Sequence, residues 1–160
     1  MRLRRAYWTL SLVVLALPLL AANCVQNILP AESGPFAGLF GAVVDSPFGS
    51  GVASVNLSQA GDQLSGTYVF SVSGTSTNFV LKQVVSGVVQ LADHASLVGG
   101  NCHDLVGTVS GKAVTCDSLA PVAAVLVGVV SAVLESDNNV LVAAGGAGLF
   151  QSPGVRLDRQ

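Results

Sequence analysis

The feature that most constrains this sequence is a regular alternation of apolar and polar residues from residue 51 to residue 73. The alternation continues on both sides of Ala60-Gly61-Asp62, a segment typical of a tight turn. A period of two places the apolar side chains on one face of an extended strand. The segment therefore predicts a β-hairpin with one buried face and one solvated face.

The rest of the chain also favours extended structure. Hydrophobic residues make up 51% of the sequence but aromatic residues only 6%, and much of the difference is valine, a strand former because of its stiff χ1 rotamer. Further strands are predicted at 78–85, 87–91, 104–110 and 112–117, separated by Gly74, Gly87, a loop over 92–103, and Gly111. Residues 105–115 predict a second hairpin.

The apolar run from residue 119 to 134 leaves two interpretations open. Its valine content favours a strand that is buried on both sides. Ser118 as an N-cap and Pro121 in the first turn would instead suit a single helix over 119–135. Beyond it, residues 137–139 predict a turn into a strand at 140–142, and a Gly-rich segment leads into a polar tail.

Regularly spaced short strands with turn signals between them indicate an all-β domain. We expect a small antiparallel barrel or sandwich. A barrel would also remove the open edges that so apolar a sheet could not safely expose.

The amino terminus has the order of an export signal. Three arginines at positions 2, 4 and 5 precede an apolar run over 10–22, and small residues then lead to Cys24. The predicted organisation is a signal peptide over 1–23, a Pro- and Gly-containing tether over 24–47, and a β domain over 48–160.

The segment from Leu20 to Cys24 resembles the lipobox of bacterial exported lipoproteins, in which the cysteine takes diacylglycerol. The resemblance implies lipidation of Cys24 and a cell-envelope protein that is held on the membrane, facing the periplasm or the cell surface. Two alternatives stay open. Ordinary cleavage after Ala22 would give a secreted protein, and retention of the apolar run would give a membrane anchor.

The two remaining cysteines, Cys102 and Cys116, predict a disulfide if the exported domain folds in an oxidising compartment; the alternative is a pair of buried free thiols. Without the leader, four basic residues remain against nine carboxylates. Scattered positive charges do not supply the cluster that a nucleic-acid partner needs, and an acidic domain is not attracted to anionic lipid headgroups.

Residues 58–68, with their Leu-Ser-Gly-Thr-Tyr run, and residues 73–81 resemble a hairpin of the avidin and streptavidin family. The resemblance implies an up-and-down antiparallel barrel and aligns Tyr68 with the family's biotin-contacting tyrosine. Phe70 stands where the family has a serine. The family's site is walled by tryptophans, and Trp8 in the leader is the single tryptophan of this chain. The hairpin therefore implies architecture and not biotin binding.

Residues of metal-ligand type are densest around 93–104. His94, His103 and Asp104 are the candidate ligands, although neighbours on an extended chain point to opposite sides and seldom share an ion. A polar loop beside a disulfide is the alternative explanation.

No nucleophile elbow, metalloprotease motif or phosphate-binding loop occurs in the sequence. We therefore expect a non-catalytic protein without a cofactor. The first hypothesis is an envelope lipoprotein with a structural or interaction role, including self-association as a homo-oligomer. The second is a secreted barrel that binds a small apolar or amphipathic ligand, with Tyr68, Phe70 and Phe79 as lining residues, although core packing explains these three residues better.

Overall fold

The computed structural model describes residues 34–118, 124–151 and 153–160, and these residues form an all-β domain, as the sequence predicts. The strands are β1 (Gly38–Ser46), β2 (Gly49–Ala60), β3 (Gln63–Ser73), β4 (Thr77–Leu91), β5 (His94–Val109), β6 (Lys112–Val114), β7 (Val129–Glu135), β8 (Val140–Ala144) and β9 (Val155–Arg159). A 3-10 turn follows β8 at Gly148–Phe150. No helix with the length and apolar character of a membrane span occurs in the described residues.

The sheet closes into an eight-stranded antiparallel barrel. Each strand pairs with its neighbour in sequence, except that β7 follows β5 around the wall, and β9 returns to pair with β1. The short β6 pairs with the distal end of β5. Of the two architectures that the sequence leaves open, the barrel is the observed one, and closure gives both edge strands a partner.

The predicted hairpin over residues 51–73 is confirmed as β2 and β3. The two strands pair without interruption from Gly51–Val72 to Ala60–Gln63, and Gly61 adopts a positive φ of 58° in the turn. The apolar residues of the alternation all point inward, at most 4% exposed: Ala53, Val55, Leu57, Leu64, Tyr68, Phe70 and Val72. The period-two pattern therefore identified the core face of this hairpin correctly.

Two predictions are wrong, namely the break at Gly87 and the loop over 92–103. β4 continues through Gly87, and β5 begins at His94 after a short turn. A Cβ on Gly87 would collide with the carbonyl oxygen of Ser96, so glycine at this position permits close pairing of β4 with β5. The glycine that suggested a break is therefore part of the strand pairing. The second hairpin, from β5 into β6, is confirmed.

The helical alternative for residues 119–135 is wrong from residue 129 onward, because β7 occupies that part; residues 119–123 lie outside the described part of the chain. In β7, Val130, Ala132 and Leu134 are buried and the residues between them face outward. Pairing with β5 on one side and β8 on the other satisfies the backbone groups of this strand.

Both ends of the domain differ from the predicted organisation. β1 lies within the segment predicted as a tether over 24–47, so that the barrel includes residues before position 48. The predicted polar tail contains β9, which pairs with β8 and β1. Both segments are needed for closure, since a barrel that lacked either strand would have two open edges.

Candidate functional site

The three aromatic residues predicted to line a ligand site lie inside the barrel. Tyr68, Phe70 and Phe79 are each at most 1% exposed. The ring of Phe79 lies 5.9 Å from that of Phe70, and the ring of Tyr68 lies 5.4 Å from that of Phe150, measured between centroids. Tilted and edge-on arrangements at these distances are the ones that aromatic pairs prefer in cores. Phe70 and Phe79 are thus neighbours, Tyr68 contacts Phe150 instead, and all of them belong to the apolar core.

The hydroxyl of Tyr68 is the exception within this core. It is buried and has no hydrogen-bond partner among the described residues. Burial raises the pKa of this phenol well above its ordinary value, because removal from water disfavours the phenolate. An unpaired buried hydroxyl costs about 1–3 kcal/mol, so this oxygen is a position where a bound water or ligand atom would be favourable.

Gln83 is a buried polar residue that the sequence analysis did not identify. It lies on β4 opposite Tyr68 of β3, at a register shift of the β4–β5 pairing, and is 1% exposed. Its Nε2 donates to the carbonyl oxygens of Gly100 (2.6 Å) and Leu126 (2.9 Å), and its Oε1 accepts from the backbone N–H of Leu126 (2.9 Å).

The amide of Gln83 therefore holds the connection that precedes β7 against the barrel wall, with Leu126 and Ala124 buried. A sequence signal for this role existed. Phe79, Leu81, Gln83 and Val85 occupy alternate positions of one strand, so a glutamine stands where the period requires an inward side chain. A buried amide at such a position needs a hydrogen-bond partner for each of its polar atoms. The partners of the Gln83 amide are backbone groups of Gly100 and Leu126.

The predicted disulfide between Cys102 and Cys116 is confirmed. Cys102 lies in β5 and Cys116 in the turn after β6, with Cα atoms 5.7 Å apart, within the usual range for disulfides. The bond joins the middle of β5 to the segment that leaves the second hairpin. Cys24 and the predicted leader over 1–23 lie outside the described residues.

The three candidate metal ligands are not brought together into a site. His94 begins β5 and its Nδ1 lies 2.7 Å from the carboxylate of Asp93, a hydrogen bond that lowers the pKa of that exposed acid. Nine residues along an extended strand, about 30 Å, separate His94 from His103. Asp104 pairs instead with Lys82 of β4 at 3.3 Å. The described residues contain no group of three or more potential metal ligands.

The outer wall carries two apolar features. The first, which we name the valine face, covers part of β4, β5 and β7, where the outward valines are 39–68% exposed: Val80, Val84, Val88, Val98, Val106 and Val129. The second is a groove of about 440 Å³ on β1 and β2 near the carboxyl terminus, lined by Leu39, Val43, Val52 and Gln160 among others. Both are shallow surfaces on the outside of the barrel.

Together these observations define a small up-and-down antiparallel barrel with an apolar interior, the architecture that the resemblance of the 58–81 segment implies. Comparison with protein-family models, with curated proteins and with solved structures finds no match. Any function therefore has to be argued from the barrel itself.

Proposed function

We propose that this protein is a non-catalytic lipoprotein of the bacterial cell envelope, anchored through Cys24, whose barrel has a structural or interaction role. The observation that carries the proposal is the distribution of polar groups on the barrel. Apart from the hydroxyl of Tyr68 and the buried amides of Gln59 and Gln83, which bond backbone groups, the interior is occupied by apolar side chains, and the described ion pairs lie singly on the outer wall. Catalysis needs several polar groups that converge on one cleft, and neither arrangement offers that.

The position of the barrel along the chain is compatible with a lipid anchor. Thirteen residues lie between Cys24 and Gly38, where β1 begins. A fully extended chain of that length reaches at most about 50 Å. An anchored barrel would consequently stay close to the membrane surface, where its outer wall would be available to other envelope components.

The test is lipid attachment in a bacterial host. We expect the full chain to incorporate radiolabelled palmitate and to fractionate with membranes, and the Cys24→Ser variant to lose both properties. A Cys102→Ser/Cys116→Ser variant is the matched control, since it removes two other thiols and should keep the label. An intact mass that corresponds to cleavage after Ala22 with an unmodified thiol would instead support the secreted form.

A second candidate, a secreted barrel that binds a small apolar or amphipathic ligand, is favoured by one observation. The unpaired hydroxyl of Tyr68 would gain a partner from a ligand that carries one hydrogen-bonding group and an apolar body. The packing of Phe70 and Phe79 counts against this candidate. Native mass spectrometry of the purified protein tests it: a retained small molecule that Tyr68→Phe loses supports it, and an empty protein contradicts it.

A further inference from the structure

The valine face is unusual because apolar residues lie directly opposite one another on the solvent side of the wall. Val80 of β4 pairs in register with Val106 of β5, and Val98 of β5 pairs with Val129 of β7. Val106 and Val129 are 68% and 60% exposed. Contiguous exposed apolar residues on a protein surface mark contact sites more often than isolated ones do.

One ion pair lies within this face. Lys82 and Asp104 are cross-strand neighbours that both point outward, with their charged atoms 3.3 Å apart and their side chains about half exposed. Apart from two histidines, they are the charged residues in the sequence of β4 and β5. The face thus presents one positive and one negative charge side by side, with valines above and below them.

This arrangement is complementary to itself. A twofold axis that runs parallel to the strands, between β4 and β5, places Lys82 of each copy over Asp104 of the other. The same operation places Val80 of each copy over Val106 of the other, because these two residues are also in register. Interfaces with twofold symmetry require a patch of this kind, in which each feature is matched by its symmetry mate.

From this charge complementarity we infer that the valine face is the contact surface of a homodimer, and that its occupant is a second copy of this chain. Association removes the outward valines from water and surrounds each Lys82 with two carboxylates. The inference goes beyond the proposed anchoring, and it holds or fails independently of lipid attachment.

The decisive experiment exchanges the charges. In Lys82→Asp the face carries two acids, and in Asp104→Lys it carries two lysines, so each variant repels its own copies. We expect each variant alone to dimerise at least about tenfold more weakly than the parent in analytical ultracentrifugation. An equimolar mixture of the two should recover the dimer, because one all-acidic face then meets one all-basic face.

All proteins in this series carry Cys24→Ser in the full chain, so that lipid attachment does not enter the result. Unchanged circular dichroism of each single variant shows that the barrel still folds. Loss of an ion pair that is merely intramolecular would not be repaired by mixing two variants. Failure of the mixture to associate, or a parent protein that is monomeric at all concentrations, overturns the inference.

A second pair of variants locates the surface. Val106→Glu introduces an unpaired charge into the valine face, and Val43→Glu does the same at a position on β1 that is 76% exposed. We expect Val106→Glu to give a monomer and Val43→Glu to remain dimeric. The opposite result would place the contact at the groove on β1 and β2 and would contradict the inference.

Discussion

The two halves of the barrel wall are held together in different ways. From β2 to β4 the chain forms long neighbouring strands that pair continuously. The β2–β3 ladder extends to the pair Ala60–Gln63, and the β3–β4 ladder extends to the pair Gln63–Val88. Between β9 and β1 the ladder includes two positions, Phe40 with Arg159 and Gly41 with Asp158. The wall from β2 to β4 is built from strands that are neighbours in sequence, whereas the β9–β1 ladder joins the two ends of the barrel domain.

At the short ladder, side chains add the missing hydrogen bonds. The guanidinium of Arg159 donates to the carbonyl oxygens of Pro35 (2.7 Å), Ala37 (2.6 Å) and Asn138 (2.9 Å) and lies 4.4 Å from the centroid of the Phe40 ring. The side-chain amide of Gln160 donates to the carbonyl oxygen of Gly41. Pairing between strands close in sequence therefore needs little besides backbone hydrogen bonds, while closure of the barrel depends on a few polar side chains.

The largest effect on this comparison should come from Gln83, which joins the long-strand half to the connection before β7. Gln83→Ala leaves the backbone groups of Leu126 buried without partners, which should lower the free energy of unfolding by about 4 kcal/mol. The measurement is urea denaturation. Gln90→Ala is the control, because that amide bonds Ser96 at an exposed position. Equal losses in the two variants would refute the role assigned to Gln83.

The disulfide should come next. Removal of the Cys102–Cys116 bond by a double serine variant should cost about 3 kcal/mol, the amount expected from the added chain entropy of the unfolded state for a loop of this size. Denaturation of the unaltered protein with and without a reductant provides the control. The reduced protein and the double variant should have similar midpoints. A double variant as stable as the oxidised protein would show that the bond does not constrain the second hairpin.

Arg159 tests the closing ladder directly. Arg159→Ala removes three charge-assisted hydrogen bonds and the contact with Phe40, so we expect a loss of about 2 kcal/mol. Arg156→Ala, three positions earlier in β9, removes an exposed ion pair with Glu135 and should cost less than about 1 kcal/mol. Hydrogen exchange should also accelerate at Gly41 and Asp158 in Arg159→Ala, and unchanged exchange there would argue against a closing role.

Tyr68 should give the smallest effect. Since its hydroxyl has no partner in the described structure, Tyr68→Phe should leave stability within about 1 kcal/mol of the parent, or raise it. The substitution keeps the edge-on contact with the ring of Phe150, because phenylalanine has the same ring as tyrosine. A loss above about 2 kcal/mol would indicate that a water or ligand normally bonds this hydroxyl.

The fold is easier to predict from the sequence in the β2–β4 wall than at the β9–β1 closure. Where one face of a strand is buried and the other solvated, as in β2 and β3, the period of two identifies strand, face and turn together. The predicted break at Gly87 is wrong, because a glycine that permits close strand pairing has the same sequence signature as a glycine that ends a strand. The predicted polar tail is also wrong over β9, in which the charged residues alternate with the buried Val155 and Leu157.

The candidate site was predicted less well than the fold. The pairing of Cys102 with Cys116 was predictable because the other cysteine lies at the leader. The roles of Gln83 and Arg159 were not, since their hydrogen-bond partners are backbone groups between 17 and 124 residues away in the chain. Backbone carbonyls carry no residue-type signal, so no motif points to them.

The all-β class, the buried face of the first hairpin and the disulfide can be predicted from the sequence, because each depends on patterns local in the chain or on scarce residue types. The closure of the barrel by β1 and β9, the interior position of Tyr68 and the register that sets Lys82 beside Asp104 were decided by the tertiary structure. These features depend on strand pairing between distant segments, and pairing energy resides mostly in a backbone that is the same for every residue.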